Sequence, residues 1–354
     1  MGRRSVVAAL SILLATTLLA GCSGAVGSGS GSVKTGGTPL RRSAHLGRSQ
    51  DPQPHVVNRP SFRIFEQATT FFDPTRDTPA RGSVPAKAGR ILNTLILRPL
   101  GVRTALPLVV FAHGWDSNPY VYLRLLDKWA SAGYMVAAPT FPDSTNTLPG
   151  TPVSDYIEEA WDISFVIKML LMDRWGQVDP TRIAVAGQSD GGTDVALLAL
   201  DPAFYNPHIR AYLALSGRIP PGVNLPIDPG APGALLVVVG TADQAGLYPL
   251  ATQLYQLADM NKALITVEGG RHLGIYIGTT PVAHAVRAET LKFLDATIGA
   301  RRLPGSRRSL ESTTPTGRSR CSKIAAISRS LAPGALPPLS LELGARTPLP
   351  AQCR

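Results

Sequence analysis

Cysteine is scarce in this 354-residue chain: there are three, and none lies between residues 23 and 320. That absence excludes a catalytic thiolate or a cysteine-bound zinc ion from the body of the chain. Charge is sparse too. Only 17% of residues are charged against 44% hydrophobic, too little charge for a solvated coil and enough apolar material for a sizeable core. Acid is the rarer sign, with 24 Asp/Glu against 35 Lys/Arg. The imbalance is local. Residues 301–354 hold ten Lys/Arg against Glu311 and Glu342, so most of the net +11 belongs to this tail and says little about the rest. No nucleic-acid motif accompanies it, and no nucleic-acid partner is expected. The longest apolar run, residues 6–20, falls short of the roughly 20 residues of a membrane-crossing helix.

What that run does have is direction. Arg3 and Arg4 precede it, and it ends in Leu19-Ala20-Gly21-Cys22. Basic, apolar and small residues in that order make an export signal. The ending resembles a bacterial lipobox, in which the cysteine is lipidated and becomes the mature N-terminus. The expectation is a lipoprotein signal at 1–21, an acyl anchor on Cys22, and attachment to the outer face of the bacterial cell membrane. Residues 22–60, rich in Gly, Ser, Pro and Arg, read as a flexible tether. Residues 61–300 read as one catalytic domain, and 301–354 as a basic, Ser/Pro-rich disordered tail carrying Cys321 and Cys353.

Within the domain, strand and helix patterns alternate. Strands are expected at 91–97, 106–112, 134–138, 182–186, 211–215, 234–239 and 263–267. Helices are expected at 120–132, 155–172, 247–260 and 282–298. In the 155–172 helix, Ile157, Trp161, Ser164, Ile167 and Leu171 share one stripe. Alternation of this kind implies a largely parallel sheet with helices on both faces.

The chemistry starts at Arg182-Ile-Ala-Val-Ala-Gly-Gln-Ser-Asp-Gly-Gly192. A buried strand meets a helix-forming run through Gly187-x-Ser189-x-Gly191, the pattern of a sharp turn that lifts one hydroxyl above a sheet edge. A serine needs a base to become nucleophilic. Downstream, Asp243 follows the apolar run 235–239, and His272 follows the next strand at 263–267. Both fall at carboxyl ends of strands, on the edge that carries Ser189. His272 would take the Ser189 proton, and Asp243 would hold the ring's tautomer. Alternatives are His284 for the base, Glu268 or Asp228 for the acid, and helix capping for Asp243. An oxyanion needs two backbone N–H donors. Asp190, after the nucleophile, supplies one; Trp115, in the loop Phe111-Ala-His-Gly-Trp-Asp116, supplies the other.

On Pro107–Trp115, Ala132–Pro139, Arg182–Gly192, Gly240–Asp243 and Gly270–His272 the chain resembles the α/β-hydrolase superfamily. Within it, the resemblance is to the dienelactone-hydrolase, platelet-activating-factor-acetylhydrolase, chlorophyllase and cutinase-like polyester-hydrolase branch. The resemblance implies an α/β-hydrolase fold: a mostly parallel central sheet, helices on both faces and no large cap domain. It implies a serine carboxylic-ester hydrolase working through an acyl-serine, with no cofactor and no metal. The chain departs from the pattern at three places. Ser189 stands where dienelactone hydrolases carry Cys, and Gln188 where many relatives carry His. Asp190 puts a carboxylate beside the oxyanion donor, so it is expected to face away or pair with Arg. The 216–233 stretch is too short for a helical cap, which points to an open cleft and to lipid, polyester or other bulky acyl esters. A monomer is expected. The alternatives are amide, thioester or lactone cleavage by the same residues, or a hydrolase-fold lipoprotein that binds without catalysis.

Overall fold

A computed structural model describes residues 61–172, 178–221 and 233–299, and the backbone of 339–344. Asp228, the expected signal, Cys22, the tether and most of the tail lie outside the described residues. The described strands form one sheet. They are β1 (Ile64–Asp73), β2 (Arg90–Pro99), β3 (Leu106–Ala112), β4 (Met135–Thr140), β5 (Val178–Gln188), β6 (Ile209–Leu215), β7 (Ala234–Gly240), β8 (Asn261–Val267) and β9 (Leu339–Gly344). Their order is β1-β2-β4-β3-β5-β6-β7-β8-β9. From β4 across to β8 neighbouring strands run parallel, while β1, β2 and β9 pair antiparallel at the two edges. This is the α/β-hydrolase fold. Between β6 and β7, no helix occurs among the described residues.

The central strands are covered on both sides, so they read as unbroken apolar runs. All seven residues of β3 are buried. Leu108, Val110, Ile183 and Val185 face one core; Val109, Phe111, Ala184 and Ala186 face the other. The first core is closed by α2 (Tyr156–Met172), α3 (Asp190–Leu200) and α4 (Leu247–Leu257). The second is closed by α1 (Leu123–Ala130), α5 (Gly274–Ile277) and α6 (Pro281–Thr297). Each Leu or Val so buried is worth roughly 1.5–3 kcal/mol. Trp129 shows how polar tips are reconciled with such a core: its ring is fully buried, and its Nε1–H donates to Thr290 Oγ1 at 3.1 Å.

Two strands went unpredicted. Only two residues of β1 are buried, so its apolar signal is weak. The strand β9 falls in the segment read as disordered. Its Leu339-Ser-Leu-Glu-Leu343 alternation is a strand pattern, and it pairs with β8 from Lys262↔Gly344 to Val267↔Leu339.

The helix at 155–172 exists, but its buried face is not the expected stripe. Of that stripe, Ile167 is buried and Leu171 packs on the core, but Ile157 is 57% exposed and Trp161 38%; the buried face is completed by Ala160, Ile163, Val166 and Leu170, with the acids Glu159 and Asp162. The hydrophobic count misled because this helix buries charge. The Arg90 guanidinium, itself fully buried, forks onto Asp162 (Nε–Oδ1 2.9 Å, Nη2–Oδ2 2.7 Å) and reaches Asp143 at 2.9 Å. Burial alone would lower the Arg90 pKa; the hydrogen bonds and charges of Asp162 and Asp143 reverse that and keep the guanidinium charged. Arg76 adds Nη2–Asp162 at 2.6 Å and Nη1–Glu158 at 3.0 Å. Arginine therefore pins α2 to β2 and to the loop after β4.

Glu159 and Asp194 have no such partner. Both are fully buried, and none of their four carboxylate oxygens has a hydrogen-bond partner of good geometry among the described residues. Burial raises both pKa values well above the usual range; the negative charges of Asp162 and Asp190 add to it at both groups, and that of Glu159 adds to it at Asp194. The folded pair therefore retains protons that the unfolded chain releases above about pH 4. Its stabilising contribution is full below that pH and is lost as pH rises through the folded values. Glu159→Gln should gain stability relative to wild type as pH rises, by on the order of 1–2 kcal/mol between pH 5 and pH 8 in urea unfolding. A stability difference that is independent of pH contradicts this account.

Candidate active site

The strand β5 ends at Gln188 and α3 starts at Asp190, so a single residue turns the chain. That residue, Ser189, has φ 60° and ψ −118°, a region costing roughly 1–3 kcal/mol for a non-glycine residue. Its neighbours hold it there. A Cβ on Gly187 would overlap the Gly191 carbonyl, and one on Gly191 would overlap the Ala112 carbonyl. Ser189 N–H donates to Leu215 O at 2.9 Å, and its carbonyl accepts from Thr193 N–H at 3.1 Å. The turn is thus clamped between β3, β6 and α3.

Asp243 lies three residues beyond β7 and His272 five beyond β8, on the same sheet edge as Ser189. Their side chains meet: His272 Nδ1 stands 2.9 Å from Asp243 Oδ2. Burial tends to raise the Asp243 pKa, but hydrogen bonds from His272, Ser216 and Ala245, with the charge of His272, bring it below the ordinary carboxylate value. An ionised Asp243 accepts, so Nδ1 carries the proton. The capping alternative does not hold, since α4 starts at Leu247 with Gly246 at its cap; Asp243 Oδ1 takes Ala245 N–H at 2.9 Å in the turn before that helix. The rival residues lie elsewhere. His284 is exposed on α6 and Glu268 is exposed after β8.

Ser189 and His272 are not joined by a hydrogen bond. Among the described residues no hydrogen bond links the Ser189 hydroxyl to the imidazole; His272 Nε2 lies 3.2 Å from Gln188 Nε2 instead. Nucleophile–base contacts are often long before substrate arrives.

The loop after β3 packs directly on the turn: a Cβ at Gly114 would stand 3.0 Å from Ser189 Cβ. Asp190 opens α3, so its backbone N–H has no acceptor within the helix. The Trp115 backbone N–H donates to nothing among the described residues. The Trp115 indole is half exposed and donates to Pro152 O at 3.0 Å. The Asp190 carboxylate is drawn aside by Ser154 Oγ and by Tyr156 OH at 3.4 Å, and Arg218 Nη2 donates to that Tyr156 oxygen at 3.2 Å. The expected arginine therefore acts through a tyrosine.

Sequence reasoning missed His113, Tyr122 and Ser216. His113 is fully buried; its Nε2 accepts Phe141 N–H at 3.1 Å and its Nδ1–H donates to Gly114 O at 2.9 Å. Burial pushes its pKa down to about 4, against the opposing Gly114 hydrogen bond, so it stays neutral and staples the Trp115 loop to the end of β4. Ser216, with φ 48° at the end of β6, bonds Tyr276 OH at 2.9 Å beneath Asp243. Only its place directly after a buried strand hinted at this.

Two comparisons bear on this site. Residues 82–220 match the chlorophyllase family, which spans the Trp115 loop and the Ser189 turn. Pimeloyl-[acyl-carrier protein] methyl ester esterase of Aromatoleum aromaticum (strain DSM 19018 / LMG 30748 / EbN1) is 32% identical over 150 residues. The alignment covers 41% of this chain and 52% of that protein, so the chain spans about half the length of the curated relative it matches. Together they support an α/β-hydrolase of the esterase kind in general terms.

His113→Phe should destabilise the domain by about 1–3 kcal/mol, because Phe141 N–H would be stranded. The sign with pH follows from the lowered pKa. The neutral His113 contributes stability that is lost as pH falls from about 6.5 towards about 4. The gap between wild type and variant should therefore narrow on that descent. A gap of constant size across the descent contradicts the role given to His113.

Proposed function

We propose that this chain is a serine ester hydrolase. What supports the reading best is Ser189, held at φ 60° on the same sheet edge as the Asp243–His272 pair. In this reading Ser189 Oγ attacks the ester carbonyl carbon while His272 Nε2 takes the hydroxyl proton. The carbonyl oxygen becomes an oxyanion and is met by the backbone N–H groups of Trp115 and Asp190. The intermediate collapses, the bond to the leaving alcohol breaks, and His272 returns the proton to that alcohol. Water then repeats the sequence on the acyl-serine and frees the acid. Asp243 stays ionised throughout and steadies the imidazolium. The curated relative is named for a methyl ester, which favours esters over amides as the substrate bond. The short 216–233 connection and the half-exposed Trp115 favour acyl groups on bulky carriers, such as lipids, polyesters or acylated glycans.

The N-terminal pattern supports an exported protein held at the membrane surface by lipid on Cys22. No helix among the described residues is long and apolar enough to cross a membrane.

Ser189→Ala should reduce short-chain nitrophenyl ester hydrolysis by about 10³-fold or more and abolish fluorophosphonate labelling, with the melting temperature held or raised. Labelling that survives the substitution refutes Ser189 as nucleophile. Cys22→Ala should release the protein from the membrane fraction, and unchanged retention refutes the anchor.

A further inference from the structure

One side chain ties three loops of the site together, and the mechanism above does not use it. Gln188 is 2% exposed. Its Oε1 accepts from the Tyr122 hydroxyl at 2.8 Å, and that hydroxyl accepts Gly114 N–H at 3.2 Å. Its Nε2 lies 3.1 Å from the His272 carbonyl oxygen and 3.2 Å from His272 Nε2. A carbonyl oxygen only accepts, so the amide nitrogen must face His272, and this settles which way the amide points. One amide proton serves the carbonyl. The other is directed at the imidazole. Because Nδ1 donates to ionised Asp243, Nε2 meets Gln188 with a lone pair.

That lone pair is the one required to take the Ser189 proton. On the serine-hydrolase reading Nε2 would have two donors to choose between, the Gln188 amide N–H, which meets it here, and the Ser189 hydroxyl, which does not. We infer that Gln188 is a positioning residue: it holds His272 as the neutral Nδ1–H tautomer against the turn, and yields Nε2 to Ser189 when an ester enters. The inference rests on the serine-hydrolase reading above. Gln188 forms no covalent bond and moves no proton. Once Nε2 has been protonated it is a donor, and a donor has nothing to gain from an amide N–H; the imidazolium therefore turns to the leaving oxygen. The same amide, through Tyr122 and Gly114, ties the base to the loop that carries the Trp115 N–H. Base and oxyanion donor are thus set against each other by one side chain.

Gln188→Glu keeps the shape and reverses this logic, since a carboxylate accepts from Nε2–H and favours the protonated ring. The acid limb of its kcat/KM profile should move to higher pH by about one unit relative to wild type. Gln188→Ala should lower kcat about tenfold, with KM changed less than about twofold. A residue that merely filled space would leave the acid limb where it was, so coincident limbs for wild type and a folded Gln188→Glu overturn the inference. Ring ¹⁵N spectra of wild type and Gln188→Ala read the same bond without turnover and do not depend on the Glu variant folding. Expected is a wild-type ring protonated at Nδ1 and bare at Nε2, whose Nε2 signal shifts when the amide is removed. An Nε2-protonated wild-type ring, or an unmoved signal, overturns the inference as well. Failure of the parent reading looks different: wild type itself would resist fluorophosphonate and leave nitrophenyl esters intact, while the ring spectra would still report the amide bond.

Discussion

Everything at this site depends on one backbone contact, the Gly191 carbonyl lying where a Cβ on Gly187 would be. That closeness lets β5 end and α3 begin with a single residue between them. The residue in the turn must take a positive φ, and a serine takes it at a cost of roughly 1–3 kcal/mol. The strain persists because the surroundings over-determine it. Leu215 O, Thr193 N–H and the Ala112 carbonyl each fix a different side of the turn. Relaxing Ser189 would require moving β3, β6 and α3 together, and those elements share two apolar cores.

The imidazole is constrained just as firmly, from the far end. Asp243 claims Nδ1, and Gln188 claims both the backbone carbonyl and Nε2 of His272. The ring has little freedom to choose a tautomer. Beneath Asp243, Ser216 and Tyr276 carry the hydrogen bonding down to Val238 O. The site is therefore one connected polar layer, from Gly114 through Tyr122, Gln188, His272 and Asp243 to Ser216, laid across the carboxyl ends of β3, β5, β8, β7 and β6. Such a layer is stable only when each member is satisfied, which is why His113, buried at its margin, must be neutral.

The placement of Ser189, Asp243 and His272 on one sheet edge was legible in the sequence because each follows a strand buried on both faces. An unbroken apolar run such as Leu235–Val239 announces where it ends, and the residues after that end lie on the edge that carries Ser189. Gln188, Tyr122, His113 and Ser216 were not legible in these roles, because their partners are distant in the chain: Gln188 and His272 are 84 residues apart. The face of α2 was misread for another reason. Apolar periodicity assumes that acids point to water, and Asp162 does not, since Arg90 and Arg76 reach it from outside the helix. The edge strand β1 carries too little buried surface to declare itself by composition.

The buried acids show what this arrangement costs. Around the back of the turn, Arg90 pairs with Asp143 and Asp162, and Glu159 and Asp194, which keep their protons, are buried close to Asp162. Burial pushes Asp143 up to about 6 even with Arg90 beside it. A packed hydrophobic alternative would be no less stable, and often more so, than buried ionic groups of this kind. Arg90 holds the loop after β4 through Asp143; the next residue of that loop, Ser144, accepts Asp116 N–H at 2.8 Å. Arg90 is thus linked, through Asp143 and the adjacent Ser144 carbonyl, to Asp116, the residue after Trp115 and itself at φ 53°. Buried ion pairs are directional where apolar packing is not, and in this molecule their direction runs to that loop.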